Sequence, residues 1–185
     1  MKNIILLSLI GIFIIAFSSC KKDDPVVPNE EELITTLKLT LTPTAGGSAV
    51  EYSFTDLDGD GGNAATLVEG TLEDSTSYTA QITLLNEQES PAEDITEEVE
   101  EEDEEHQLFY ETDIADLNIT YTDMDDNGNP VGLSTNVTTG NAGTGTLTVT
   151  LRHEPVKSAT GVASGDITNA GGETDISVTF NVTIQ

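Results

Sequence analysis

The sequence predicts an all-β fold, an antiparallel β-sandwich of immunoglobulin-like type, with a closed barrel as the alternative way of arranging the same strands. Three observations predict it. Apolar residues recur at every second position in short runs, most cleanly at Ile176, Val178, Phe180, Val182 and Ile184. The runs are separated by turns rich in Gly, Asp and Asn. Threonine fills many of the alternate positions, as suits the solvated face of a half-buried strand.

The chain begins with Lys2, an apolar stretch ILLSLIGIFIIAF and Ser18-Ser19 before Cys20. The apolar stretch is shorter than the roughly 20 residues a membrane-spanning helix needs, so 1–19 reads as a secretory signal of the lipoprotein kind. Cleavage would leave Cys20 as the lipid-bearing first residue. As the chain's one cysteine, it permits no internal disulfide and no thiolate metal cluster. Lys21-Lys22-Asp23-Asp24 is similar to the export tag of Bacteroidota surface lipoproteins. Pro25 and Pro28 mark 20–32 as a linker. The expected address is the outer membrane, lipid-anchored and facing the cell surface, with the lipid on Cys20 as the membrane contact.

Residues 33–185 then form one domain. Leu37, Leu39 and Leu41 alternate with Thr and Lys on a first strand, and Val50, Tyr52 and Phe54 follow on a second. A third carries Leu67 through Leu72, and a fourth Tyr78, Ala80, Ile82 and Leu84, in a meander of hairpins. The strands resume at Gln107–Glu111, Leu117–Tyr121, Leu133–Thr138 and Leu147–Leu151 before the closing run, eight or nine in all.

Between them lies an acidic insertion at 87–105, which holds twelve of the chain's 34 acidic residues. Ser90, Pro91 and Glu93 have the features of a helix start, and a short helix is expected over about Pro91–Glu100. Glu97, Glu98, Glu100, Glu101 and Glu102 place like charges three and four apart, so the helix should fray unless a cation binds. With a net charge of −28, the chain repels nucleic-acid phosphates, which excludes nucleic acid as a partner; it attracts cations or basic protein surfaces.

Three groups of residues are candidates for chemistry. His106 and His153, the two histidines, fall at strand ends with core parity, so both could meet at one rim with Glu101, Glu102 and Glu105 beside them. Imidazole with carboxylate and no thiolate suits zinc, copper, nickel or iron. Asp56, Asp58 and Asp60 fit the first half of a D-x-D-x-D-G calcium loop, but position twelve falls on Leu67. Asp123, Asp125 and Asn127 match the same half-template, although Asn127-Gly128 is also a hairpin signal. No HExxH, G-x-S-x-G or P-loop motif is present, and an enzyme is not expected.

The runs DLDGDG, YTAQITLLNE, SPAEDITEEVEEEDEEHQLFY, YTDMDDNGNPVGL and LRHEPVKSATGVASGDITNAGGETDISVTF together resemble flavobacterial-type surface lipoproteins. Some of these carry the label "type 1 periplasmic binding fold superfamily", which implies solute capture at the envelope and an α/β architecture. The residues themselves predict strands with one short helix. The resulting expectation is a lipid-anchored binding protein that captures a divalent metal or a metal-bearing ligand for an outer-membrane transporter. The alternative is a structural or adhesive module that binds another protein through its acidic face.

Overall fold

A computed structural model describes residues 32–59 and 62–185. The signal segment, Cys20, the linker up to residue 31 and Asp60 lie outside the described residues. In chain order the elements are β1 (Thr36–Pro43), β2 (Val50–Thr55), β3 (Thr66–Val68), β4 (Thr71–Leu72), β5 (Ser77–Asn86), β6 (Glu93–Asp94) and α1 (Ile95–Glu101). They continue with β7 (His106–Thr112), β8 (Asn118–Tyr121), β9 (Ser134–Thr138), β10 (Gly143–His153) and β11 (Glu173–Ile184).

The strands form two sheets, not a closed barrel. One runs β3-β2-β1-β5-β9-β8 with β6 added to β5, and the other runs β4-β11-β10-β7. The period-two pattern explains the two-layer packing. Leu37, Leu39 and Leu41 of β1 and Tyr78, Ala80, Ile82 and Leu84 of β5 turn one face inward. Leu147, Val149 and Leu151 of β10 and the alternating apolar residues of β11 meet them in one core. Tyr52 of the first sheet sets its ring against Phe180 of the second, centroids 5.7 Å apart in an edge-to-face contact.

The strand order departs from the expected meander. β5 pairs with β1, which therefore sits between β2 and β5. The single strand expected from Leu67 to Leu72 is two strands in different sheets: β3 pairs with β2, and after Gly70 the chain crosses over so that β4 pairs with β11. That last pairing is parallel, so the second sheet is mixed. Leu67 and Val68 lie on the short edge strand β3 and are about half exposed.

The helix also starts later than its sequence signals suggested. Glu93 and Asp94 extend the first sheet as β6, and the helix begins at Ile95. Ile95 and Val99, four apart, are its two buried residues, and burying that pair sets its position. Asp94 is the N-cap: its carboxylate accepts the Thr96 N–H at 3.0 Å, and Glu97 stands three residues on as in a capping box. Thr96 in turn binds the backbone of β5, accepting from Leu84 N and donating to Leu84 O. The helix thus closes one end of the sandwich and delivers the acidic run to the start of β7.

Candidate metal centre

β7 and β10 are antiparallel, and their register places His106 directly opposite His153. Both side chains turn inward at the strand ends, His106 with no exposed surface and His153 at 3%. Their rings stack with centroids 4.5 Å apart and planes 28° from parallel. The two histidines, 47 positions apart in sequence, therefore meet, and they do so by strand pairing alone.

A third side chain that could hold a metal, a carboxylate, comes from β11. Leu151 pairs with Ile176 and Arg152 with Thr174, so β11 carries one extra residue at this point, Asp175. In regular alternation with Ile176 it would face outward. The bulge turns it the other way. Its side chain is fully buried, with Oδ1 at 3.8 Å from His153 Nδ1. β11 can come this close because Gly172 precedes it: a Cβ there would stand 2.1 Å from the His153 carbonyl.

The orientation of His106 is fixed from below. Its Nδ1 lies 3.2 Å from the backbone carbonyl of Glu102, which can only accept, so Nδ1 carries the proton and Nε2 holds a lone pair. Nε2 is buried and has no hydrogen-bond partner among the described residues. Burial holds this imidazole below its ordinary pKa range. The Glu102 carbonyl pulls the other way, whereas His153 pushes in the same direction as burial. A neutral imidazole with one nitrogen anchored to a carbonyl and the other bare is the arrangement that metal-ligating histidines adopt.

Carboxylates complete the surroundings. Ligand atoms of His106, His153 and Asp175 lie within 4.8 Å of one another, and so do those of Glu32, Glu102 and His106. With metal–ligand bonds of about 2.0–2.1 Å in a tetrahedral site, ligand atoms stand about 3.4 Å apart, so these side chains would have to close in by up to about an ångström to hold one ion. Glu105 approaches from outside, its Oε2 3.9 Å from His153 Nε2. The Glu32 carboxyl is pushed up to about 7, first by burial and then by Glu98 and Asp175, with a hydrogen bond to Glu98 and the charge of Glu102 acting the same way.

No family model, curated protein or solved structure matches this chain.

Of the residues singled out from the sequence, His106, His153, Glu102 and Glu105 come together, whereas Glu101, the exposed last residue of α1, belongs to neither grouping. Two residues were missed. Asp175 is brought in by a bulge that a strict period of two hides. Glu32 falls at the end of the 20–32 stretch that Pro25 and Pro28 mark as a linker.

The aspartate turns are engaged otherwise. Asp56 Oδ1 accepts from Gly59 N at 3.0 Å, and Asp58 Oδ2 from Asn63 N and Nδ2 at 3.0 and 2.7 Å. The backbone bond from Asn63, followed by its side-chain bond, holds the Asp58 carboxyl below its ordinary range. Asp123 accepts the N–H groups of Gly132 and Ser134, both at 2.9 Å. Asp125 accepts those of Asn127 and Asn129 and pairs with Lys157 at 3.1 Å. Lys157 Nζ also donates to the carbonyls of Asp103 and Pro130. An internal ammonium thus neutralises the carboxylate that the half-template offered to calcium.

A cavity of about 350 Å³ has Glu32, Phe54, Asp56, Gln88, Asp175 and Ile176 among its lining; the histidines do not line it, but Asp175 and Glu32 connect it to them. A larger one of about 440 Å³ is lined by residues of β5, α1 and the 123–134 segment and includes neither histidine.

Proposed function

We propose that this protein is a lipid-anchored envelope domain that captures a divalent transition metal, as the free ion or within a small complex, for an outer-membrane uptake system. His106, His153 and Asp175 are the central ligands, with Glu102 and Glu105 in reach. The observation that carries this reading is the bare Nε2 of His106, an acceptor with no exposed surface and no partner among the described residues. An orphaned buried acceptor costs about 1–3 kcal/mol, and a fold keeps such a cost where a ligand offsets it. Two imidazoles and a carboxylate suit zinc, nickel, copper(II) or iron(II), whereas calcium and magnesium prefer oxygen donors alone. The lipid anchor is argued from Cys20 and its preceding apolar segment. Among the described residues no helix is long and apolar enough to cross a membrane.

Titration calorimetry of the full chain in detergent with Zn²⁺, Cu²⁺ and Ca²⁺ tests the proposal. Transition-metal binding should disappear in the His106→Ala/His153→Ala double variant, and equal affinity in the two proteins would remove the idea. A second reading, protein binding through the acidic face, is favoured by the exposure of Glu97, Glu100, Glu101 and Glu104. It predicts a partner released by salt or by deleting 93–105.

A further inference from the structure

The candidate ligands do not all come from inside the sandwich. Glu32 stands four residues before β1, on a segment fixed to β5 by the bond from Thr35 N to Leu85 O and by Glu87 N donating to Thr35 Oγ1. It groups with Glu102 and His106, and it lines the same cavity as Asp175. His106 belongs to both ligand groupings, and its Nε2 is the buried acceptor without a partner among the described residues. Glu32 and Asp175 therefore approach the imidazoles from the cavity side. Asp56 is a third carboxylate in the cavity lining.

We propose that a divalent cation reaches the buried histidines through this cavity, and that Glu32 meets it there and then completes its coordination. The inference rests on the metal-capture reading above. It adds an entry route and a ligand contributed by the segment that leads back toward the anchor. Carboxylates lining a cavity raise the local cation concentration and the on-rate. The Glu32 carboxylate, once bound, satisfies the ion's charge where two neutral imidazoles cannot. An ion held partly by a cavity-side carboxylate also exchanges more readily than one held wholly within the core, as cargo must.

Co²⁺ serves as the probe because its visible spectrum reports its ligand set. Full-length wild type, Glu32→Gln, Glu32→Asp and Asp56→Asn are compared by Co²⁺ titration, Co²⁺ spectra and stopped-flow association, with far-UV circular dichroism to confirm folding. Glu32→Gln should lose at least about tenfold in affinity and shift the Co²⁺ bands, and Glu32→Asp should recover part of both. Asp56→Asn should slow association while leaving the bound spectrum unchanged. If wild type binds Co²⁺ and Glu32→Gln matches it in affinity and spectrum, this inference fails and the capture reading stands. If wild type binds no Co²⁺, both fail.

Discussion

Replacing His106 by leucine separates a metal ligand from an ordinary core residue. In the metal-free protein the imidazole is a liability, because its buried Nε2 lacks a hydrogen bond and costs about 1–3 kcal/mol. His106→Leu removes that cost. It also removes the bond from Nδ1 to the Glu102 carbonyl, worth about 1 kcal/mol. That carbonyl keeps a donor, since Glu105 N reaches it at 2.9 Å, so no new orphan is created. With a chelator present, His106→Leu should therefore be as stable as wild type or up to about 2 kcal/mol more stable, a rise of a few degrees in Tm for a chain of this size. With Zn²⁺ at a hundred times its Kd, wild type should gain about 2.7 kcal/mol and the variant almost nothing, so the order of stabilities reverses. Thermal melts of both proteins with EDTA and with Zn²⁺ measure all four values. A variant that loses 3 kcal/mol or more in EDTA, with both proteins indifferent to Zn²⁺, would show that His106 is there to fill the core.

Four further substitutions test the surroundings. Lys157→Met keeps the aliphatic stem but leaves the Asp125 carboxylate, 1% exposed, without its cation; urea denaturation should show a loss of about 3–5 kcal/mol. Burial pushes the Asp125 carboxyl up, but the Asn129 and Lys157 donors outweigh it and hold its pKa below the ordinary range. Its contribution to stability is thus full above the unfolded value of about 3.9 and is lost as pH falls through the folded one, an acid limb that Asp125→Asn should flatten. Asp94→Ala removes the N-cap of α1 and should cost about 1 kcal/mol, with faster amide exchange confined to the helix and the loop before β7. Asp175→Asn should fold as wild type and bind Zn²⁺ at least about tenfold more weakly by calorimetry; unchanged affinity would exclude the bulge residue as a ligand.

The two-layer β architecture was legible because each long strand carries its own instruction. Alternation in β1, β5, β10 and β11 fixes which face is apolar whatever the pairing partner, and on β10 it turns His153 inward. Pairing itself was not legible. That β5 returns to β1, and that the run from Leu67 to Leu72 divides between two sheets, are choices made by long-range packing that leave no local mark. The helix start was misplaced because Ser90-Pro91 is a good local signal, while burial of Ile95 and Val99 is worth more than a cap. The Lys157 that pairs with Asp125 lies 32 positions away, beyond the reach of any local pattern.

The site's precision follows from where it is built. His106 and His153 are the last cross-strand pair of the β7–β10 ladder, so their spacing is a property of the sheet and not of a loop. A regular sheet, however, alternates faces and would give β11 only apolar residues on the inner side here. The single added residue at Asp175 changes that without disturbing Ile176 or Val178, which keep their register with Leu151 and Val149. The acidic run acts at longer range. It arrives at the same end because α1 packs on β5, and its carboxylates give that end a negative field. The anchored Nδ1 of His106, the bulge at Asp175 and the acidic loop would each be a minor irregularity alone. Their convergence within a few ångströms is difficult to explain by packing, since a core optimised for stability would hold an aliphatic residue at position 106.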